Sequence, residues 1–406
     1  MSTTPRRRSK TRVGPLVAAP DGAPDLDVDA LLADRSVGII VCCGSGGVGK
    51  TTTSAALALR AAEQGRDVVV LTIDPARRLA QSMGIEKLDN VPRPVPGVGS
   101  AGSTSGGSLD AMMLDMKRTF DEVVESQASP EKAAQILANP FYVALSSSFA
   151  GTQEYMAMEK LGQLQAESEE TGRYDLIVVD TPPSRSALDF LDAPERLSSF
   201  LDGRFIRLLL APAKGPARLM TAGFTMMTSA LGKVLGTQML RDVQTFVAAL
   251  DTLFGGFRQR AQKTYRLLQA DGTAFLVVAA PEPDALREAA FFVERLHEER
   301  VPLAGLVLNR ASRVPHGSLS AEQALAAAER LENETGATGE AGLTAGLLRL
   351  HASRVRIVAR ENRLRQRFTA AHPHVPTAVV PALPTDVHDL DGLRLVGDLL
   401  AQPAAG

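Results

Sequence analysis

Short runs of unbroken apolar residues, closed at each end by turn formers, recur along the chain. The first ends in Val41-Cys42-Cys43. Five more cover Asp67–Ile73 (DVVVLTI), Tyr174–Val179 (YDLIVV), Phe275–Ala279 (FLVVA), Leu303–Leu308 (LAGLVL) and Thr377–Val380 (TAVV), and Leu109–Leu114 (LDAMML) adds a further candidate. Continuous apolar character over this length marks strands buried on both faces, and helical patterns between such runs mark a parallel sheet. The pattern predicts an α/β fold with a mostly parallel central sheet flanked by helices.

The spacing is uneven. Sheet-like runs cluster at 38–73, 174–180 and 274–380, whereas 115–170 and 188–268 carry mostly helical periodicity. These two blocks are expected to form an all-helical insertion in two parts. The core is then built from 36–114, 171–187 and 269–401. Residues 1–28, rich in Arg, Pro, Ala and Asp without an apolar period, are expected to form a disordered basic tail. Residues 95–108 (VPGVGSAGSTSGGS) read as a flexible linker. Residues 332–342 (ENETGATGEAG) read as a loop, after a helix that Ser320 caps with Gln323 reaching back. Six arginines at helical spacing in 353–368 read as a solvated helix face, and His372-Pro373-His374 as loop.

Between the first strand and the helix after it lies Gly44-Ser45-Gly46-Gly47-Val48-Gly49-Lys50-Thr51, which matches G-x-x-x-x-G-K-[ST] throughout. Glycines there let the backbone curl until its N–H groups face a phosphate, and the helix starting near Lys50 adds partial positive charge. Lys50 offers an ammonium to the β- and γ-phosphates, and Thr51 offers a hydroxyl to Mg²⁺. The chain is therefore expected to bind a nucleoside triphosphate through Gly46, Gly47, Val48, Gly49, Lys50, Thr51 and Thr52. Transfer of a phosphoryl group to water needs an in-line water, a metal and charge stabilisation. Asp180, closing YDLIVVD, is the acid expected beside Mg²⁺ together with Thr51. Asp74, closing VVVLTID, is expected to orient the attacking water, with a helix cap before Pro75 as its alternative role. Lys50 and Asp74 are the candidate catalytic residues.

Composition narrows the setting. A hydrophobic content of 45% suffices for a packed core, and a net charge of −2 gives no global attraction to nucleic acid or anionic membrane. No run of about 18 apolar residues is present, so an integral membrane protein is not expected. Cys42 and Cys43, the only cysteines, are neighbours on a strand and point to opposite faces. That arrangement suits a reducing, cytoplasmic location. Residues 218–240 carry Met220, Met226, Met227 and Met239, read either as core packing or as an adaptable apolar groove.

The segments GSGGVGKTTT, TIDPARRLAQSMG, LDAMMLDMKRTFDE, YDLIVVDTPPSRSALDFLDAP, LVLNR and VPALPTDVHDLDGLRLVGDLL occur in the order found in the arsenite-pump ATPase (ArsA) family. The chain resembles a short, cysteine-poor bacterial member with a single phosphate loop. That family belongs to the deviant-Walker P-loop ATPases and includes the ATPases that escort tail-anchored membrane proteins. The resemblance implies a P-loop NTPase fold, ATP and Mg²⁺ as cofactors, and a dimer closing over two ATP molecules. It also implies Asp74 in switch I, Asp180 in switch II, Asn309 and Pro381 around the adenine, and a membrane-protein client. The family's zinc-binding cysteine pair and arsenite-binding cysteines are absent. Where relatives carry a lysine that reaches across the dimer, this chain has Ser45. A homodimer would lack that charge in both sites unless Arg77, Arg78 or Arg185 replaces it, and a heterodimer with a paralogous ATPase carrying K-G-G-x-G-K is the favoured assembly over a homodimer. The alternative is a weakly active, ATP-binding regulatory subunit.

Overall fold

The computed structural model describes residues 24–73, 78–99, 106–140, 142–143, 146, 152–182, 259–315, 319–335 and 339–402. Eight strands form one sheet: β1 Ile39–Cys43, β2 Asp67–Thr72, β3 Arg93–Pro94, β4 Ser108–Met113, β5 Leu176–Asp180, β6 Thr273–Ala279, β7 Leu303–Ala311 and β8 Thr377–Pro381. Their order is β3-β4-β2-β5-β1-β6-β7-β8, parallel throughout except for the β3–β4 pair. Each apolar run of the sequence is a strand, and β1, β5 and β6 are buried along their whole length.

The labelled helices are α1 Val28–Ala33, α2 Lys50–Glu63, α3 Arg78–Ser82, α4 Met116–Gln127, α5 Pro130–Leu137, α6 Thr152–Thr171, α7 Pro283–Glu298, α8 Ala321–Thr335, α9 Gly339–Ala371 and α10 Leu390–Leu400. Alternation along β1 splits the interior in two. Ile39, Val41 and Cys43 join the cluster that contains Phe120 of α4, Met156 of α6 and Phe292 of α7. Ile40 and Cys42 join the cluster beneath α1, α2 and α10, where a row of alanines (Ala55, Ala58, Ala62) lets α2 lie close to the strands. The first helical block therefore shares the apolar cluster of one sheet face. Most of the second block, including the methionine-rich residues 218–240, lies outside the described residues.

Three local expectations are corrected. The tail does not extend to residue 28: Leu26 N donates to Thr377 O, Asp25 bridges Thr377, and Asp27 caps α1 through a 2.9 Å bond to Ala30 N. The 95–108 stretch is not all linker, because Val95 is buried and Ser108 opens β4, its hydroxyl 2.7 Å from Asp67 Oδ1. The loop at 332–342 is shorter than expected, with α8 running to Thr335 and α9 starting at Gly339. The two helices pair through Ala321, Ala324 and Ala352. The arginine-bearing stretch is one part of that 33-residue α9. The Ser320 cap is present: Gln323 N donates to Ser320 Oγ at 3.2 Å and Ser320 N to Gln323 Oε1 at 2.9 Å.

Among the described residues Arg66 is the largest fully buried side chain, and it ties the first strands together. It bonds Asp175 Oδ1 at 2.9 Å and the carbonyls of Leu32, Val37 and Asp175. A forked, permanently charged donor suits a site where several carbonyls converge.

Candidate functional site

The site lies where the strand order reverses around β1, outside the carboxyl ends of the strands, which is where doubly wound sheets hold ligands. As β1 ends, the chain turns at Gly44 (φ 147°), where a Cβ would stand 2.1 Å from Val278 O of β6. Only glycine lets the loop leave the sheet so close to its neighbour. Gly49, at φ 94°, caps α2, and a Cβ there would meet Asn309 Nδ2 at 2.2 Å.

The tip of β7 grips this loop from outside. Asn309 Nδ2 donates to Val48 O at 2.8 Å, and Arg310 Nη1 donates to Gly47 O at 2.9 Å. Inside, Lys50 is buried and its Nζ donates to Ser45 O at 2.8 Å. The ammonium is thus folded over the hollow that the loop amides enclose. At the floor, Thr51 Oγ1 donates to Asp180 Oδ2 at 2.8 Å, and Thr72 Oγ1 donates to the same oxygen at 2.9 Å. Asp180 is fully buried. One carboxylate oxygen therefore receives hydroxyls from α2 and β2 while its own strand lies between β1 and β2.

A cleft of about 800 Å³ opens over these groups. Gly46, Gly47, Gly49, Lys50, Thr51 and Thr52 form one wall, and Asn309, Arg310, Pro381, Leu383, Asp386 and His388 form the other. Of the residues expected at the site, Val48 is buried beneath the loop and contributes backbone only, and Asp180 lies under Thr51. Asp74 lies outside the described residues; Ile73, just before it, is braced by Gln153 Nε2 donating to its carbonyl at 2.9 Å. The sequence reading missed Arg310, Asp386 and His388. Arg310 carried a signal, a cation directly after Asn309 at a strand end. Asp386 and His388 lie in a segment whose fold no periodicity marks.

Magnesium takes hard oxygen ligands and keeps several waters. The hydroxyl of Thr51 and the carboxylate of Asp180 are hard oxygens placed together at the base of the cleft, so the donor set fits the ion. The two cysteines lie off this chemistry: burial pushes both thiols up to about 12, leaving them protonated and inert. Among the described residues no cluster of three or more His, Cys, Asp or Glu could hold a metal, and no helix is long and apolar enough to cross a membrane.

A parallel sheet with a glycine loop between β1 and α2, and a hydroxyl–carboxylate pair beneath it, defines the P-loop NTPase class of α/β fold. Within that class, the chain belongs to the anion-transporting ATPase (ArsA) family, whose model matches residues 37–330. It is similar to ATPase GET3C of Arabidopsis thaliana, 26% identical over 273 residues, which cover 66% of this chain and 65% of the relative. It is also similar to ATPase GET3 of Malassezia globosa, 31% identical over 181 residues covering 45% and 50%. The ATPase ASNA1 homolog of Cryptosporidium parvum is 26% identical over 267 residues covering 66% and 63%. The chain thus spans between half and two thirds of the length of these relatives.

Proposed function

We propose that this chain is a Mg²⁺-dependent ATPase that closes as a dimer around nucleotide and couples hydrolysis to movement of its helical part, in a membrane-linked targeting or transport process. The observation that carries the reading is the Thr51–Asp180 contact of 2.8 Å at the floor of a cleft that Lys50 also lines. Family membership and the names of the relatives support hydrolysis of ATP. The membrane-protein client and the cytoplasmic setting rest on the family resemblance.

In this reading the amides of Gly46, Gly47 and Gly49 hold the β-phosphate, and Lys50 leaves the Ser45 carbonyl to pair with β- and γ-oxygens. Mg²⁺, held by Thr51 with Asp180 behind it, would neutralise charge on the phosphate oxygens. Thr72 keeps the Asp180 carboxylate turned toward that position. Asp74, which lies outside the described residues, is assigned the orientation of the attacking water from its place in the sequence at the end of the β2 run. Asn309 and Pro381, on the opposite wall, flank the base. Steady-state phosphate release from the isolated chain tests the activity. ATP-dependent and Mg²⁺-dependent turnover that Lys50→Ala abolishes supports it, and release equal to a protein-free control contradicts it.

Ser45 favours a second reading, a weakly active ATP-binding subunit completed by a paralogous ATPase with K-G-G-x-G-K. The Ser45 hydroxyl is buried without a hydrogen-bond partner among the described residues and brings no charge to the loop crest. Turnover by the isolated chain that equals that of Ser45→Lys, with a stable homodimer in solution, rules this second reading out.

A further inference from the structure

The end of β7 is held from two sides. Its register with β8 shifts between Leu308 and Ala311. Inside that irregular stretch Arg310 has a left-handed backbone, φ 61°, a conformation that residues with a β-carbon seldom adopt. Strained backbone of this kind persists only where the surroundings over-determine it. On the cleft side, Asn309 Nδ2 donates to Val48 O at 2.8 Å and Arg310 Nη1 donates to Gly47 O at 2.9 Å. On the other side stands Glu361, half-buried on α9 and 49 positions beyond Ser312. Its Oε2 accepts from Ser312 N at 2.7 Å, and its Oε1 accepts from Ser312 Oγ at 2.9 Å. Two helical turns earlier, Arg354 Nε donates to Arg313 O at 3.0 Å.

Both oxygens of Glu361 are therefore engaged by a single residue. A carboxylate that takes a backbone N–H and a hydroxyl at once makes a charge-assisted contact at two points, which fixes orientation as well as distance. Ser312 follows closely on Asn309 and Arg310, and between them Ala382 N donates to Ala311 O at 2.9 Å. Fixing Ser312 thus fixes where the strand tip ends and holds the strained turn at Arg310. Without the carboxylate that turn is free to relax toward ordinary backbone, and Asn309 and Arg310 then withdraw from the two loop carbonyls they brace.

We infer that Glu361 is a positioning residue of the nucleotide site: through Ser312 it holds the tip of β7 against the phosphate loop. It acts through Asn309 and Arg310 rather than on the nucleotide itself. The affinity for ATP is thereby linked to the placement of α9 and of α8, which pairs with it. The inference deepens the ATPase reading and rests on it.

The test measures Mg·ATP affinity by titration, and KM and kcat of phosphate release, for the full chain, Glu361→Ala, Glu361→Gln and Ser312→Ala. A brace that shapes the loop equally before and during reaction is uniform binding, so its loss raises KM and leaves kcat. The expected result is Kd and KM raised about tenfold in Glu361→Ala, the order set by charge-assisted hydrogen bonds, with kcat within about twofold. Glutamine recovers most of the affinity, because its amide oxygen still accepts from Ser312 N while its amino group donates to Oγ. Ser312→Ala removes one of the two bonds and falls between. Arg349→Ala breaks the α8–α9 ion pair to Glu332 (2.6 Å) but spares the Ser312 contact, and is expected to leave both constants unchanged. Unchanged Kd and KM in Glu361→Ala, a lowered kcat at wild-type KM, or an equal rise in Arg349→Ala overturns the inference. The last two are what a purely structural role produces. Where Glu361→Ala does not fold, wild-type affinity in Ser312→Ala overturns it. Wild-type binding that Lys50→Ala abolishes keeps the ATPase reading standing whichever way Glu361 falls, and absence of binding by the wild-type chain overturns both.

Discussion

Thr51 Oγ1 donates to Asp180 Oδ2 at 2.8 Å across 129 positions of chain. The contact exists because β5 lies between β1 and β2, bringing the acid that ends β5 beneath the helix that starts after β1. Topology, rather than local sequence, joins the two oxygens at the place where a hard cation is expected.

Removing the acid's charge tests that relationship. Asp180→Asn keeps the shape and a hydroxyl partner for Thr51, so the fold survives. Magnesium-dependent strengthening of ATP binding falls about 10–100-fold, measured by titrating Mg²⁺ at fixed nucleotide. Retention of the full metal effect contradicts the assignment.

Two glycines of the loop separate steric need from conformational need. Gly44 and Gly47 both have positive φ, but a Cβ strikes Val278 O at 2.1 Å from Gly44 and meets nothing within 4 Å from Gly47. Gly47→Ala is expected to cost on the order of 1–3 kcal/mol in strain. Gly44→Ala costs more, because a backbone atom must move. Thermal unfolding of the two variants gives the order.

Arg66 bonds a carboxylate and converging carbonyls in the interior. Arg66→Ala leaves those carbonyls without a donor, for an expected loss of about 3 kcal/mol or more. Arg66→Lys recovers little of it, since an ammonium lacks the fork. Denaturant melts of the two variants check this.

The buried thiols set an alkaline limit. Burial raises both from an ordinary 9 to about 12. Their contribution is complete below pH 9, where unfolded thiols are protonated too. It is lost as pH rises from 9 toward 12, because only the unfolded chain releases the protons. Each thiol gives a slope of up to about 1.4 kcal/mol per pH unit. Cys42→Ala should flatten the decline in stability between pH 9 and 11. In the native protein neither thiol should react with a disulfide reagent at pH 8, whereas both react on unfolding.

Much of this architecture was legible in advance. Buried parallel strands announce themselves as apolar runs, so β1, β2, β4, β5, β6, β7 and β8 could be read. The two-residue β3 could not, since Arg93 and Pro94 are exposed and carry no apolar signal. The α8–α9 pairing was obscured because it packs through alanines, which give weak periodicity, and because Gly336 and Gly339 mimic a longer loop. At the site, Lys50, Thr51 and Asp180 were readable because loop and strand tip have local signatures. Arg310 had only its place after Asn309 to mark it, and Asp386 and His388 reach the cleft through the placement of β7 and β8 beside β6, which no local pattern encodes.

Calorimetric titration of Mg·ATP into the chain and into Lys50→Ala addresses the central claim most directly. The account predicts saturable binding to the wild-type chain that weakens when Mg²⁺ is chelated and vanishes in the variant. Absence of saturable binding, or binding that Lys50→Ala leaves intact, contradicts it.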